Sequence, residues 1–117
     1  MIEGSCHCGG VQWQFDGQPD GATACNCTVC RRYGVLWAYY PTGQVHVIAP
    51  DGTDTYAWDD RSIAFHRCRT CGCVTHWSSL TRQDDRMGVN ARLMDAEIVR
   101  EARIRHLDGA GSEQYID

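Results

Sequence analysis

The chain has 117 residues and a formal net charge of −4, so it is long enough for one domain with a modest core. The acidic balance argues against a nucleic-acid-binding surface, and no apolar run approaches the roughly 18 residues that a membrane-spanning helix needs. Because the N-terminus shows neither a basic region nor an apolar run, no secretory signal is expected, and we predict a cytoplasmic protein.

Short segments that alternate apolar and polar residues follow one another along the chain, which is the period of half-buried strands. The predicted strands, in chain order, cover residues 11–15, 22–24, 35–40, 44–48, 53–58, 62–66, 74–77, 87–93 and 98–107. Turn signals separate them, among them Asp16-Gly17, Asp20-Gly21 after Pro19, and Asp51-Gly52. Many short strands at close spacing predict a mainly β fold of antiparallel sheets.

Two short helical turns interrupt this pattern. Residues 28–33 are predicted to form one turn that ends at Gly34, and residues 95–97 are predicted to form another. From Asp108 onward the chain is polar and glycine-rich, so we expect residues 108–117 to be a frayed tail. No repeat or linker divides the sequence, and residues 1–117 are therefore expected to form a single domain.

Eight cysteines in a chain of this length need a chemical explanation. In a reducing compartment, clustered cysteines are typical of metal binding, whereas the cysteines of disulfide scaffolds are usually scattered. We therefore favour zinc over disulfides and over an iron–sulfur cluster, which closely spaced thiolates can also hold. Seven of the eight cysteines fall into three tight groups: Cys6 and Cys8; Cys25, Cys27 and Cys30; Cys68 and Cys71.

The first and third groups together supply four sulfurs, the number that a closed structural zinc site requires. Pairing them closes a loop of about sixty residues, which restricts the unfolded chain as a disulfide would. The central group of Cys25, Cys27 and Cys30 then has three sulfurs and one free position, as catalytic zinc sites do. The alternative is a closed second site completed by a distant histidine or by Cys73, which otherwise reads as a small buried residue.

Other residues are candidates for substrate binding or proton transfer. Arg31 directly follows the central group, and its forked donors suit a substrate carboxylate; the alternative is a solvent-facing role at the end of the helical turn. Among the five histidines, His66 and His76 flank the third cysteine group and are the better acid–base candidates. Three aromatic residues either line a pocket or belong to the core: Trp37, Tyr39 and Tyr40.

Three motifs, in order along the chain, resemble those of the glutathione-dependent formaldehyde-activating enzymes, a family in the superfamily of centromere protein V. They are Gly-Ser-Cys-His-Cys-Gly-Gly-Val at residues 4–11, Cys25-x-Cys27-x-x-Cys30-Arg31, and Cys68-x-x-Cys71-Gly72. The resemblance implies a β-tent fold of short antiparallel sheets. It also implies two zinc ions per chain, a structural one on Cys6, Cys8, Cys68 and Cys71 and a catalytic one on Cys25, Cys27 and Cys30.

The family's reaction joins glutathione and formaldehyde into S-hydroxymethylglutathione. We therefore predict a zinc-dependent carbon–sulfur lyase-like enzyme that acts on a glutathione, or other small-thiol, adduct of formaldehyde or a related aldehyde. Two departures leave the thiol and the aldehyde open: Asn26 stands where many relatives carry histidine, and the chain is shorter than the formaldehyde-activating members. The alternative function is a non-catalytic zinc-binding interaction module.

Overall fold

The computed structural model describes residues 1–17, 21–81 and 85–117. These residues form ten strands, β1 to β10, at Ile2–Ser5, Gln12–Phe15, Ala22–Cys25, Trp37–Pro41, Val45–Ile48, Thr53–Tyr56, Ile63–Cys68, Val74–Ser79, Arg86–Asn90 and Ile104–Leu107. Helix α1 spans Thr28–Tyr33, helix α2 spans Ala96–Glu101, and two 3₁₀ helices span Thr42–Gln44 and Ala91–Leu93. The predicted mainly β fold is confirmed. The turn predicted at Asp20-Gly21 after Pro19 lies partly outside the described residues.

The strands belong to two sheets. A small sheet has the order β1-β2-β5, and a large sheet has the order β10-β3-β4-β9-β8-β7-β6. The described strand pairs are antiparallel, as predicted, with one exception: β10 pairs with β3 in parallel, in a register that sets Ile104 against Ala22. No helix in the described part of the chain is long and apolar enough to cross a membrane.

Strand β4 separates two hydrophobic cores, because successive side chains of a strand point to opposite faces of the sheet. Ala38 and Tyr40 belong to the main core, which joins residues of both sheets. There the Tyr40 ring stacks on Phe15 of β2 with ring centroids 3.7 Å apart. The intervening residues, Trp37 and Tyr39, belong to a second core on the other face of β4.

Helix α1 covers this second core. Its Cys30 packs with Val35, Trp37, Phe65 and Trp77. The helix ends as predicted at Gly34, whose backbone is left-handed (φ 68°) and whose N–H donates to the Cys30 carbonyl at 3.0 Å. Because glycine adopts this conformation without steric cost, the sequence signal and the observed cap agree.

The strand predicted over residues 98–107 is wrong in its first half. Asp95 caps helix α2, since its carboxylate accepts a hydrogen bond from the Glu97 N–H at 2.9 Å. Glu97 and Arg100 form an ion pair one turn apart on the same helix, at 2.7 Å. The cap and the pair favour a helix where the alternation of residue types favours a strand, and β10 begins only at Ile104.

The expectation that residues 108–117 are frayed is also wrong. The segment turns back along β10, where Tyr115 bridges Leu107 and the Ile116 N–H donates to the His106 carbonyl at 2.9 Å. The Tyr115 hydroxyl is 3.0 Å from the Thr23 hydroxyl. Backbone pairing with β10 and the Tyr115 side chain therefore both hold the segment to the sheet.

Candidate functional site

The structure brings the first and third cysteine groups together, as the sequence predicts. Cys6 and Cys8 lie in the turn between β1 and β2, while Cys68 ends β7 and Cys71 follows in the next turn. The four sulfurs all lie within 4.8 Å of one another, and those of Cys8 and Cys68 are 3.5 Å apart. We call this set the four-cysteine cluster. Four convergent sulfurs are the donor set of a closed structural zinc site.

Backbone N–H groups surround the four-cysteine cluster. The Val11 N–H donates to the Cys6 sulfur at 3.3 Å, and the Thr70 N–H donates to the Cys68 sulfur at 3.4 Å. Hydrogen bonds from the Cys71 and Thr70 N–H groups hold the pKa of Cys68 below its ordinary value, and the Cys73 N–H lowers the pKa of Cys71 to about 5. Metal ligation requires thiolates, and the lowered pKa values of Cys68 and Cys71 favour that form at two of the four sulfurs.

The central group forms a second convergence point, which we call the three-cysteine centre. Cys25 is the last residue of β3, Cys27 is the N-cap of α1, and Cys30 lies within that helix. Their three sulfurs lie within 4.8 Å of one another. Cys25 and Cys27 lie at the junction between β3 and α1, and the first turn of the helix brings Cys30 back toward Cys27.

Each sulfur of the three-cysteine centre accepts a hydrogen bond. The Cys27 N–H donates to Cys25 at 3.5 Å, the Cys30 N–H donates to Cys27 at 3.3 Å, and the buried Trp37 indole N–H donates to Cys30 at 3.4 Å. Burial raises the pKa of Cys25 and of Cys30. Burial also acts to raise the pKa of Cys27, but the Cys30 N–H and the neighbouring sulfurs outweigh it and leave that pKa lowered. Such contacts, at one buried and two partly buried cysteines, fit a cation that compensates the charge of the sulfurs.

Among the described residues, the three-cysteine centre gathers only these three metal-ligating side chains. Cys73, the sequence candidate for a fourth ligand, packs instead against Cys6, Val11 and Cys68 at the other cluster. The donor set therefore fits a metal ion with one position left for an external ligand.

A cleft of about 320 Å³ opens beside the three-cysteine centre and includes all three cysteines in its lining. Five aromatic side chains also line it: Trp37, Tyr39, Trp58, Phe65 and Trp77. Three charged side chains contribute as well: Asp59, Asp60 and Arg86. The Arg86 guanidinium lies 4.7 Å from the centroid of the Tyr39 ring. Apolar walls with a few polar groups are typical of sites for small molecules.

Two of the three predicted aromatic residues, Trp37 and Tyr39, line this cleft, whereas Tyr40 belongs to the main core. The sequence did not single out Arg86 or the turn that carries Asp59 and Asp60. Their signal is weak, because charged residues in a turn usually face water. The turn joins β6 to β7, and the pairing of β7 with β8 sets the cleft-lining Phe65 opposite Trp77 beside it.

The other sequence candidates lie elsewhere. Arg31 is exposed on α1 and is not among the residues that line the cleft. The rings of His66 and His76 stack with centroids 4.1 Å apart. They alternate along their strands with the cleft-lining Phe65 and Trp77 and so point to the opposite face. Burial lowers the pKa of both histidines, that of His76 to about 3, so both are neutral at pH 7.

Comparisons with known proteins agree with this geometry. Residues 1–106 match the family model described as glutathione-dependent formaldehyde-activating enzyme. The crystal structure of a Rhodobacter sphaeroides protein superposes with a TM-score of 0.70 at 27% sequence identity, covering 87% of this chain and 98% of that one. No curated protein sequence matches the chain.

Proposed function

Because the chain belongs to the family of glutathione-dependent formaldehyde-activating enzymes, we propose that it is a zinc-dependent carbon–sulfur lyase. Its substrate is an adduct of glutathione, or of another small thiol, with formaldehyde or a related aldehyde. The observation that carries this proposal is the three-cysteine centre, whose three convergent sulfurs also line an aromatic cleft. A donor set with one ligand missing beside a cleft is what a thiol-binding zinc enzyme needs.

We propose two zinc ions per chain. The four-cysteine cluster (Cys6, Cys8, Cys68 and Cys71) holds a structural ion, and the three-cysteine centre (Cys25, Cys27 and Cys30) holds a catalytic one. We also propose a reducing compartment such as the cytoplasm, where clustered cysteines bind metal rather than form disulfides. Residues 1–117 then act as one zinc-binding β-tent domain.

The reaction forms one bond and moves one proton. The thiol sulfur bonds to the carbonyl carbon, the C=O double bond becomes a single bond, and the thiol proton ends on the former carbonyl oxygen; cleavage runs the same steps backwards. Cys25, Cys27 and Cys30 would hold the zinc ion, which would supply a Lewis acid that favours the ionised form of a substrate thiol. Asp59 and Asp60 are carboxylates in the cleft lining and are proposed to carry the proton.

The cleft residues hold the rest of the substrate. Arg86 offers a forked donor set for a carboxylate of glutathione, and its stacking on Tyr39 orients the guanidinium. The aromatic walls provide apolar surface beside these groups. Arg31, which follows the three-cysteine centre in sequence, stays a second candidate for carboxylate binding.

Calorimetry tests the proposal in the zinc-loaded protein, with glutathione titrated in two buffers of different ionisation enthalpy. We expect glutathione to bind with release of a proton, because ligation requires the thiolate. S-Methylglutathione, which has no ionisable thiol, should bind far more weakly. In parallel, exchange of labelled formaldehyde with S-hydroxymethylglutathione measures turnover directly.

Two arginine variants identify the carboxylate anchor. Arg86→Ala should weaken glutathione binding about tenfold, the loss expected for a charge-assisted hydrogen bond, and should spare 2-mercaptoethanol, which has no carboxylate. Arg31→Ala is the matched comparison, since it removes an exposed arginine beside the same centre. No heat with any thiol at millimolar concentration, with both zinc ions present, would contradict the enzyme assignment and favour the interaction module.

A further inference from the structure

The chain that follows β10 folds back over the three-cysteine centre. Residues 108–114, which we call the C-terminal loop, form a compact turn around Asp108. The Asp108 N–H donates to the Gln114 carbonyl at 2.9 Å, and the Asp108 carbonyl accepts from the Gly111 and Glu113 N–H groups at 3.2 and 2.8 Å. The loop therefore has a defined shape of its own.

Asn26, the residue between Cys25 and Cys27, ties the C-terminal loop to the centre. Its side-chain amide donates to the Asp108 carboxylate at 2.9 Å, and its amide oxygen accepts from the Ala110 N–H at 3.0 Å. Its backbone N–H also donates to the Leu107 carbonyl at 3.1 Å. Asn26 therefore uses both groups of its side chain, and its backbone as well, to hold one segment.

Hydrogen bonds to the Asp108 carboxylate favour its ionised form. Hydrogen bonds from the Ser112 N–H and from Asn26 hold the pKa of Asp108 below its usual range. The carboxylate is therefore ionised at neutral pH, and its second oxygen accepts from the Ser112 N–H at 3.0 Å. A charged acceptor gives stronger hydrogen bonds than a neutral one.

Gly109 brings the loop into contact with the metal-ligating residues. A Cβ atom at position 109 would lie 2.6 Å from the Cys25 sulfur and 3.3 Å from the Cys27 Cβ. The backbone of Gly109 does not adopt the left-handed conformation that favours glycine. A residue larger than glycine would therefore clash at this position, because the Cys25 sulfur occupies the space of its Cβ atom.

The C-terminal loop contacts the three-cysteine centre outside the lining of the cleft. Cys25 contributes to the cleft lining, whereas no residue of the C-terminal loop does so in the described part of the chain. The loop also lies outside the region matched by the family model, which ends at residue 106.

We propose that Asn26 and Gly109 are positioning residues of the three-cysteine centre. They seat the C-terminal loop against the Cys25 sulfur, which shields that side of the centre, retains the bound metal and directs an incoming fourth ligand to the aromatic cleft. This inference rests on the proposed occupancy of the three-cysteine centre by a metal ion.

Gly109→Ala tests the contact directly. In the fully loaded protein we expect metal release from the three-cysteine centre to a chromogenic chelator to be about 10 to 100 times faster, the range seen when contacts around metal ligands are lost. Release from the four-cysteine cluster should be unchanged. In the cobalt-substituted protein, the thiolate-to-cobalt absorption of the centre should change. Gly43→Ala is the matched control, because a Cβ there meets no atom within 4 Å.

A second variant decides the matter if Gly109→Ala does not fold. Asp108→Ala removes the carboxylate that accepts from Asn26 and should accelerate metal release in the same way. Glu113→Gln is its control, because it removes a charge from the same loop and leaves the hydrogen bonds of Asn26 in place. Wild-type release rates in Asp108→Ala, and in Gly109→Ala where it folds, would overturn the inference and leave the proposed function standing. A wild-type protein with no metal at the three-cysteine centre would overturn both.

Discussion

Backbone N–H groups donate to cysteine sulfurs in both clusters, and one of these hydrogen bonds gives a cysteine a second structural role. This cysteine is Cys27, because its sulfur belongs to the three-cysteine centre and also caps helix α1 by accepting from the Cys30 N–H at 3.3 Å. An N-cap side chain satisfies a helix N–H that has no partner within the helix. Substitution can separate the metal-binding role of Cys27 from its capping role, because serine is a strong N-cap residue.

Cys27→Ser should therefore leave the fold largely intact and abolish glutathione binding. The serine hydroxyl keeps the cap, but it is a poor substitute for a thiolate ligand. Cys27→Ala removes the cap as well and should cost about 1 kcal/mol more in unfolding free energy. Denaturant unfolding and calorimetry with glutathione measure the two effects separately. Equal glutathione affinity in wild type and Cys27→Ser would show that Cys27 does not contribute to the thiol site.

Helix α1 is a short element whose ends are both specialised for the site. Cys27 caps its start, and Gly34 ends it in the left-handed conformation. Between them Cys30 faces the second core and places its sulfur against the Trp37 indole N–H. A six-residue helix has little intrinsic stability, so its caps and its packing must hold it.

Gly34→Ala should destabilise the domain by about 1–2 kcal/mol, the cost of a left-handed conformation for a residue with a Cβ. The cost is conformational alone, because a Cβ at this position meets no atom within 4 Å. Gly34→Asn should cost less, since asparagine tolerates this region better. Denaturant unfolding of the metal-loaded proteins checks the order. If alanine and asparagine cost the same, another contact of Gly34 decides the stability.

Across the whole molecule, the four-cysteine cluster connects the small sheet to the large one. Cys6 and Cys8 follow β1, and Cys68 ends β7, so the sulfurs of Cys8 and Cys68 join positions 60 residues apart. A link over a long loop removes more conformational entropy from the unfolded chain than a short one. The three-cysteine centre spans only the β3–α1 junction, so it restricts the unfolded chain far less.

Cys68→Ser should therefore lower stability by about 2–5 kcal/mol, as loss of a native disulfide does in a small domain. Cys73→Ser is the matched control, because Cys73 packs beside the same cluster but is not one of its four convergent sulfurs. It should cost much less. Thermal unfolding with metal analysis of each variant provides the measurement. If Cys27→Ser destabilises the protein as much as Cys68→Ser, the division into a structural and a catalytic site is wrong.

Features that depend on residues close together in the sequence were predicted correctly in most cases. The spacing of Cys25, Cys27 and Cys30 predicted one convergence point, since three thiols within six residues are close in any compact fold. The glycine after α1 and the alternation along most strands were equally local signals. The sequence misplaced the start of β10, because capping by Asp95 competes there with an alternating pattern.

Contacts between distant residues were decided only by the tertiary structure. The sequence left open whether Cys73 completes the three-cysteine centre. In the structure Cys73 packs at the four-cysteine cluster instead. Arg86 and Asp59 reach the aromatic cleft through the pairing of β4 with β9 and of β7 with β8. The C-terminal loop reaches Cys25 because β10 adds to β3 in parallel, which carries the chain end past the three-cysteine centre. Spacing determines which residues are close along the chain, and strand pairing determines which distant ones join them.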